Sequence, residues 1–181
     1  HVEHSGVVVL GLVGVGNHEE HVPHTVSRDE TGHGRRRDEG LVEGIRKGSV
    51  WLDLSTSSPT LIRRLAGVFS EKGATVMDAP VSGGVRGAME GKLAVMVGGD
   101  EKIFQQLSPI LESFGDRVTY TGEIGTGSIC KLMHNSIGYG MQMILSECLT
   151  LGVKAGVDPE KLVECIRNGS VGRGNLLNVT L

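Results

Sequence analysis

Between residues 41 and 122, short β-branched runs alternate with stretches of helical period, and no other feature constrains the fold as much. "SVWLDLS" (49–55), "ATVMDAPV" (74–81), "KLAVMVGG" (92–99) and "RVTYTG" (117–122) read as strands. "SSPTLIRRLAGVFSEKG" (57–73) reads as an amphipathic helix with Ser58 as N-cap, Pro59 in its first turn and Gly73 just past its end. Its core face is Leu61, Ile62, Leu65, Val68 and Phe69. "DEKIFQQLSPILESFG" (100–115) is a second such helix, capped by Asp100, kinked at Pro109, and turning Ile103, Phe104, Leu107, Ile110 and Leu111 inward. Strands separated by helices assemble into a parallel sheet through βαβ units.

The flanks differ from this middle. "GVVVLGLVG" (6–14) is a β-branched run bounded by glycine, as expected of a buried strand, and "LVEGIRKG" (41–48) is a short helix stopped by Gly48. Residues 15–40 lose apolar patterning and read as a long irregular loop. That stretch holds His18, His21, His24 and His33, but nothing there fixes them in place, so no metal site is assigned. After Gly127 a long helix runs to about residue 155, and "DPEKLVECIRNG" (158–169) is another, with Asp158 as N-cap, Pro159 at its first position and Gly169 as its stop. The chain therefore reads as α/β over 1–123 and all-α over 124–181. Both parts look incomplete, and an opening at His1 without an initiator methionine or a signal-peptide pattern suggests a piece of a longer protein.

Composition narrows the function classes. A formal charge of −3, from 18 basic and 21 acidic residues, offers no footprint for nucleic acid or an anionic membrane. No apolar run approaches the ~20 residues of a membrane span. Cys130, Cys148 and Cys165 lack paired short spacings and read as reduced thiols, as in a cytoplasmic or mitochondrial-matrix compartment.

Four places could hold chemistry. "DLSTSSP" (53–59) sets hydroxyls at the carboxyl end of a strand, where open parallel sheets present ligands, although an N-cap cluster would look the same. "DAPVSGG" (78–84) also leaves a strand's carboxyl end, and Ser82, Gly83 and Gly84 offer a hydroxyl and unobstructed N–H groups to a carboxylate. In "GSICKLMHNSIGYGMQ" (127–142), Lys131, His134 and Asn135 share one helix face, flanked by Ile129, Leu132, Met133, Ile137 and Ile144. From that stretch alone, a solvated stripe with a snorkelling lysine and a functional seam are both open readings. "GVGNHE" (14–19) places Glu19 where a dinucleotide fingerprint has its third glycine, and a carboxylate there would repel a pyrophosphate. It is not assigned as a fingerprint, and the chain is expected to bind a dinucleotide weakly.

Taken together, "DLSTSSP", "DAPVSGGVRGAMEGKLAVMVGGD" and "GEIGTGSICKLMHN", in this order and spacing, resemble the β-hydroxyacid dehydrogenase family. Its members include 3-hydroxyisobutyrate dehydrogenases, tartronate semialdehyde reductases and, more distantly, 6-phosphogluconate dehydrogenases. The resemblance covers roughly residues 41–181 and extends faintly to "GVVVLGLV". It implies a partial Rossmann-type domain that takes NAD or NADP, followed by a long inter-domain helix and the start of an all-α substrate and dimerisation domain.

It further implies a catalytic lysine at Lys131 with Asn135 as its partner, and a substrate-carboxylate loop at Ser82, Gly83 and Gly84. Cofactor contacts are implied at Thr56, Leu12 and Val13. The substrate would be a small β-hydroxy acid or semialdehyde, the intact protein a homo-oligomer, and the polar helix face would look into the site between domains. The phosphogluconate branch has a glutamate acid for decarboxylation seven residues after its lysine. Gly138 stands there, so the resemblance implies non-decarboxylating chemistry. The alternative is a non-enzymatic relative or inactive fragment serving as an interaction module.

Overall fold

The computed structural model describes residues 7–10, 26–28, 34–36 and 41–174. Its elements, in chain order, are β1 (Val7–Leu10), β2 (Val26–Arg28), β3 (Gly34–Arg36), α1 (Leu41–Gly44), β4 (Val50–Asp53), α2 (Pro59–Glu71) and β5 (Thr75–Asp78). They continue as β6 (Val81–Ser82), α3 (Gly84–Glu90), β7 (Leu93–Gly98), α4 (Glu101–Leu111), β8 (Gly115–Gly122), α5 (Thr126–Lys154) and α6 (Pro159–Asn168). The chain forms two compact units, His1–Met133 and His134–Leu181, and the division falls inside α5.

The first unit is α/β. β1, β4 and β5 run parallel and in register, so that Leu10, Asp53 and Asp78 line up at their carboxyl ends. β7 and β8 are parallel to each other, but β7 runs antiparallel to β5 and β6, which makes the sheet mixed rather than wholly parallel. The cause is the connection. Pro80, which has no N–H, interrupts the strand read as one run from 74 to 81, and β6 carries the chain on before the seven-residue α3 turns it back. That return is a hairpin-like reversal, not a crossover.

The period-2 alternation of β4 divides the core between the two faces of the sheet. Val50 and Leu52 join Met77, Val95, Val97, Leu107 and Leu111. Trp51 faces the other way and stacks on Phe69 with ring centroids 4.9 Å apart, beside Ile62, Leu65 and Val76. Ile62, Leu65 and Phe69 of α2 and Leu107 and Leu111 of α4 are buried as expected, whereas Val68 and Ile110 lie on the rims of their stripes and are exposed.

Other differences have local causes. α3 lies where the sequence reads as a glycine-rich turn. It buries no residue, so it presents no apolar stripe to read. α1 ends at Gly44, before Gly48, which takes a left-handed φ of 81° in the following turn. Within the stretch read as a loop, β2 and β3 pair antiparallel, with Val26 opposite Arg36, and the rest of 15–40 lies outside the described residues. In the second unit, Asp158 caps α6 by accepting from the N–H groups of Glu160 and Lys161. No helix among the described residues is long and apolar enough to cross a membrane.

Candidate active site

The carboxyl edge of the sheet is built around two buried aspartates. Asp53, the last residue of β4, accepts at Oδ1 from the Ser55 N–H (3.0 Å) and the Ser55 hydroxyl (2.7 Å), and at Oδ2 from the Ser57 hydroxyl (2.7 Å). These bonds close the loop on itself and leave Thr56 exposed at its crest. Ser58 occupies the N-cap position with extended backbone, but its hydroxyl makes no capping bond.

Asp78, the last residue of β5, is fully buried. Its Oδ1 accepts from the Gly125 N–H (2.7 Å), and its Oδ2 accepts from the Ser128 N–H (2.6 Å) and hydroxyl (2.8 Å). Gly125 precedes α5 and Ser128 is its third residue, so one carboxylate from a distant strand satisfies donors that a capping box would otherwise take. The approach is close: a Cβ on Gly127 would collide with the Met96 carbonyl, and one on Gly98 would lie 2.5 Å from Asp78 Oδ1. Arg63 of α2 adds a bond from Nε to the Ile124 carbonyl (3.1 Å).

One turn beyond Ser128 comes Lys131. Gly127, Ser128 and Lys131 are the buried residues of α5, while Ile129, Met133, Ile137 and Ile144 are exposed. The helix therefore buries its lysine and exposes these apolar neighbours. A solvated stripe is ruled out for Lys131, and loss of hydration lowers its pKa from the ordinary lysine value. Asn135 is half-buried one turn further along α5, and His134 is exposed.

Ser82 ends β6, half-buried, and Gly83 and Gly84 open α3 with φ of 139° and 61°. Side chains rarely adopt such angles, and a Cβ on Gly83 would come within 3.0 Å of Leu93 Cδ2. Thr56, Ser82, Gly83, Gly84 and Lys131 thus all belong to the first unit, and Asn135 falls in the second. Leu12, Val13, Glu19 and the four clustered histidines lie outside the described residues. Sequence reasoning passed over Asp53, Asp78 and Ser128 as working residues. An aspartate closing a strand just before a Ser/Gly-rich turn was the available signal for the first two.

A family model described as the NAD binding domain of 6-phosphogluconate dehydrogenase matches residues 22–122. A second, described as the NAD-binding of NADP-dependent 3-hydroxyisobutyrate dehydrogenase, matches residues 125–180. The chain belongs to the β-hydroxyacid dehydrogenase family, whose cofactor is NAD or NADP. It is 40% identical over 134 residues to the mitochondrial 3-hydroxyisobutyrate dehydrogenase of Mus musculus, covering 74% of this chain and 40% of that one. It is 37% identical over 131 residues to the 2-(hydroxymethyl)glutarate dehydrogenase of Eubacterium barkeri, covering 72% and 44%. A solved structure of the Mycobacterium tuberculosis 3-hydroxyisobutyrate dehydrogenase with L-serine superposes with a TM-score of 0.67 at 31% identity, covering 72% of this chain and 45% of that one. The chain spans less than half the length of the curated relatives it matches, from 40% to 49%.

Proposed function

We propose that the protein is an NAD- or NADP-dependent oxidoreductase of a small β-hydroxy acid or its semialdehyde, acting without decarboxylation. The observation that carries this reading is Lys131, a buried amine on a helix whose apolar residues are exposed. Oxidation of a hydroxyl needs a base for its proton, and reduction needs an acid to return it. A desolvated lysine holds more neutral amine near neutral pH than an exposed one and can serve in both directions. Its charged form stabilises negative charge developing on the substrate oxygen.

Ser82, with the N–H groups around Gly83 and Gly84, binds the substrate carboxylate, and Asn135 orients substrate and lysine. At the sheet edge a nicotinamide dinucleotide fits the described residues. Thr56 is held out by the Asp53-locked loop, and the Asp53 and Asp78 carboxylates are turned to their own donors rather than toward a phosphate. Thr56, with Leu12 and Val13, would hold the cofactor, which supplies the hydride acceptor or donor when bound. Exposed free thiols at Cys130, Cys148 and Cys165 support a reducing compartment, cytoplasm or mitochondrial matrix. The intact protein is a homo-oligomer in this reading.

The test is a steady-state assay of the intact protein with 3-hydroxyisobutyrate and close homologues, with NAD or NADP, following reduced cofactor and carbon dioxide together. Reduced cofactor without carbon dioxide is expected. Turnover of none of these acids would overturn the reading and favour an interaction module.

A further inference from the structure

Asp78 is a buried carboxylate to which no chemical step has been assigned, and its three partners lie 47 and 50 residues away in sequence. It stands at a junction. Forward along the chain, Ala79, Pro80 and Val81 lead to Ser82, and across space its oxygens hold the first turn of the helix that carries Lys131. We propose that Asp78 is a positioning residue for the reaction, anchoring the start of α5 so that Lys131 is held at a set place relative to the Ser82 loop. The reaction half of this inference rests on the function proposed above.

Several observations converge on that assignment. Both oxygens are engaged, since Oδ1 takes one donor and Oδ2 takes two. Both N–H donors belong to the helix N-terminus, whose partial positive charge favours a carboxylate. Glycines at 98 and 127 keep clear the space in which strand and helix meet, since side chains at either would strike Asp78 or the backbone beside it. A second contact, Arg63 to the Ile124 carbonyl, steadies the approach to the helix but touches neither Ser82 nor Lys131. Loss of hydration lowers the Lys131 pKa, whereas a carboxylate close to the amine would raise it, so the role proposed for Asp78 runs through the backbone it holds.

The substitution Asp78→Asn keeps the shape, but one acceptor oxygen becomes an NH2 group facing an N–H donor. Ser128→Ala is the milder variant, since it deletes one of the three bonds and leaves both backbone donors in place. The experiment compares both with the parent in the intact protein. One readout is kinetic; the other is the rate at which an amine-reactive reagent labels Lys131 at fixed pH, read by mass spectrometry against Lys92, Lys102 and Lys161 as internal standards.

In Asp78→Asn, Lys131 labelling is expected to rise about tenfold or more, and kcat to fall by about 10²-fold, the scale of a small misplacement of a reacting group. Its KM for NAD or NADP should stay near the parent's. Ser128→Ala should move the same quantities in the same direction by less, which keeps the test decisive if Asp78→Asn does not fold. Faster labelling in a protein whose parent turns over no hydroxy acid would support the positioning role while overturning the proposed function. Unchanged labelling and unchanged kcat in a folded Asp78→Asn protein would overturn the inference.

Discussion

Asp53 and Asp78 are register partners on adjacent parallel strands, each the last residue of its strand and each buried. Their carboxylates are used differently. Asp53 bonds within four residues of itself and shapes the Thr56 loop, whereas Asp78 reaches across the fold to the start of α5. Neighbouring positions at one sheet edge therefore order two separate parts of the candidate site.

Asp53→Ala should act locally. It strands the Ser55 and Ser57 donors and frees the loop, at a cost of about 1–3 kcal/mol. The expected outcome is a lower denaturation midpoint together with weaker NAD or NADP binding, measured by urea titration and by fluorescence titration of the cofactor. Loss of stability with unchanged cofactor affinity would separate Thr56 from the cofactor.

Lys131→Met keeps most of the stem's packing and removes the amine. In the intact enzyme kcat should fall by about 10²–10⁴-fold while the fold and cofactor affinity are retained. Stability should change in the opposite sense. Burial lowers the folded-state pKa of Lys131 below its unfolded value, so the charged amine costs stability at pH values below the folded pKa. That cost is relieved as pH rises from the folded toward the unfolded pKa. The Lys131→Met substitution should therefore stabilise the protein at pH 7, a gain that shrinks as the pH is raised toward the lysine range. Thermal melts across pH would detect it, and a gain independent of pH would point to packing instead.

Ser82→Ala and Asn135→Ala should separate binding from chemistry. Carboxylate binding is shared by ground and transition states, so Ser82→Ala should mainly raise KM. Asn135→Ala should raise KM and lower kcat together, because it is assigned to both substrate and lysine. Steady-state kinetics over a range of substrate concentrations distinguishes the two patterns; a pure kcat effect for Ser82→Ala would remove it from carboxylate binding.

Two glycines of α5 should respond oppositely to alanine. A Cβ at Gly127 would strike the Met96 carbonyl and lie 2.9 Å from the Asp78 carbonyl, so Gly127→Ala should destabilise by about 1–3 kcal/mol. Nothing lies within 4 Å of a Cβ at Gly138, and alanine there should stabilise by about 0.4–1 kcal/mol through the lower entropy of the unfolded chain. Paired thermal melts by circular dichroism check both signs.

The sequence by itself determined what short-range physics controls. Short β-branched runs placed β4, β5, β7 and β8, apolar stripes placed α2 and α4, and Asp100 and Asp158 announced helix starts that they do cap. The motif strings also named the family to which the chain belongs. Residue spacing carries these features because the bonds involved span only a few positions. Tertiary structure alone decided the reversal of β7 against β5, which depends on how a short connection turns. It alone decided that Lys131 is buried while Met133 and Ile137 are exposed, since helical period says which residues share a face but not what covers it. The same holds for Asp78, whose donors arrive from 47 and 50 residues further along the chain, a separation that no local pattern encodes.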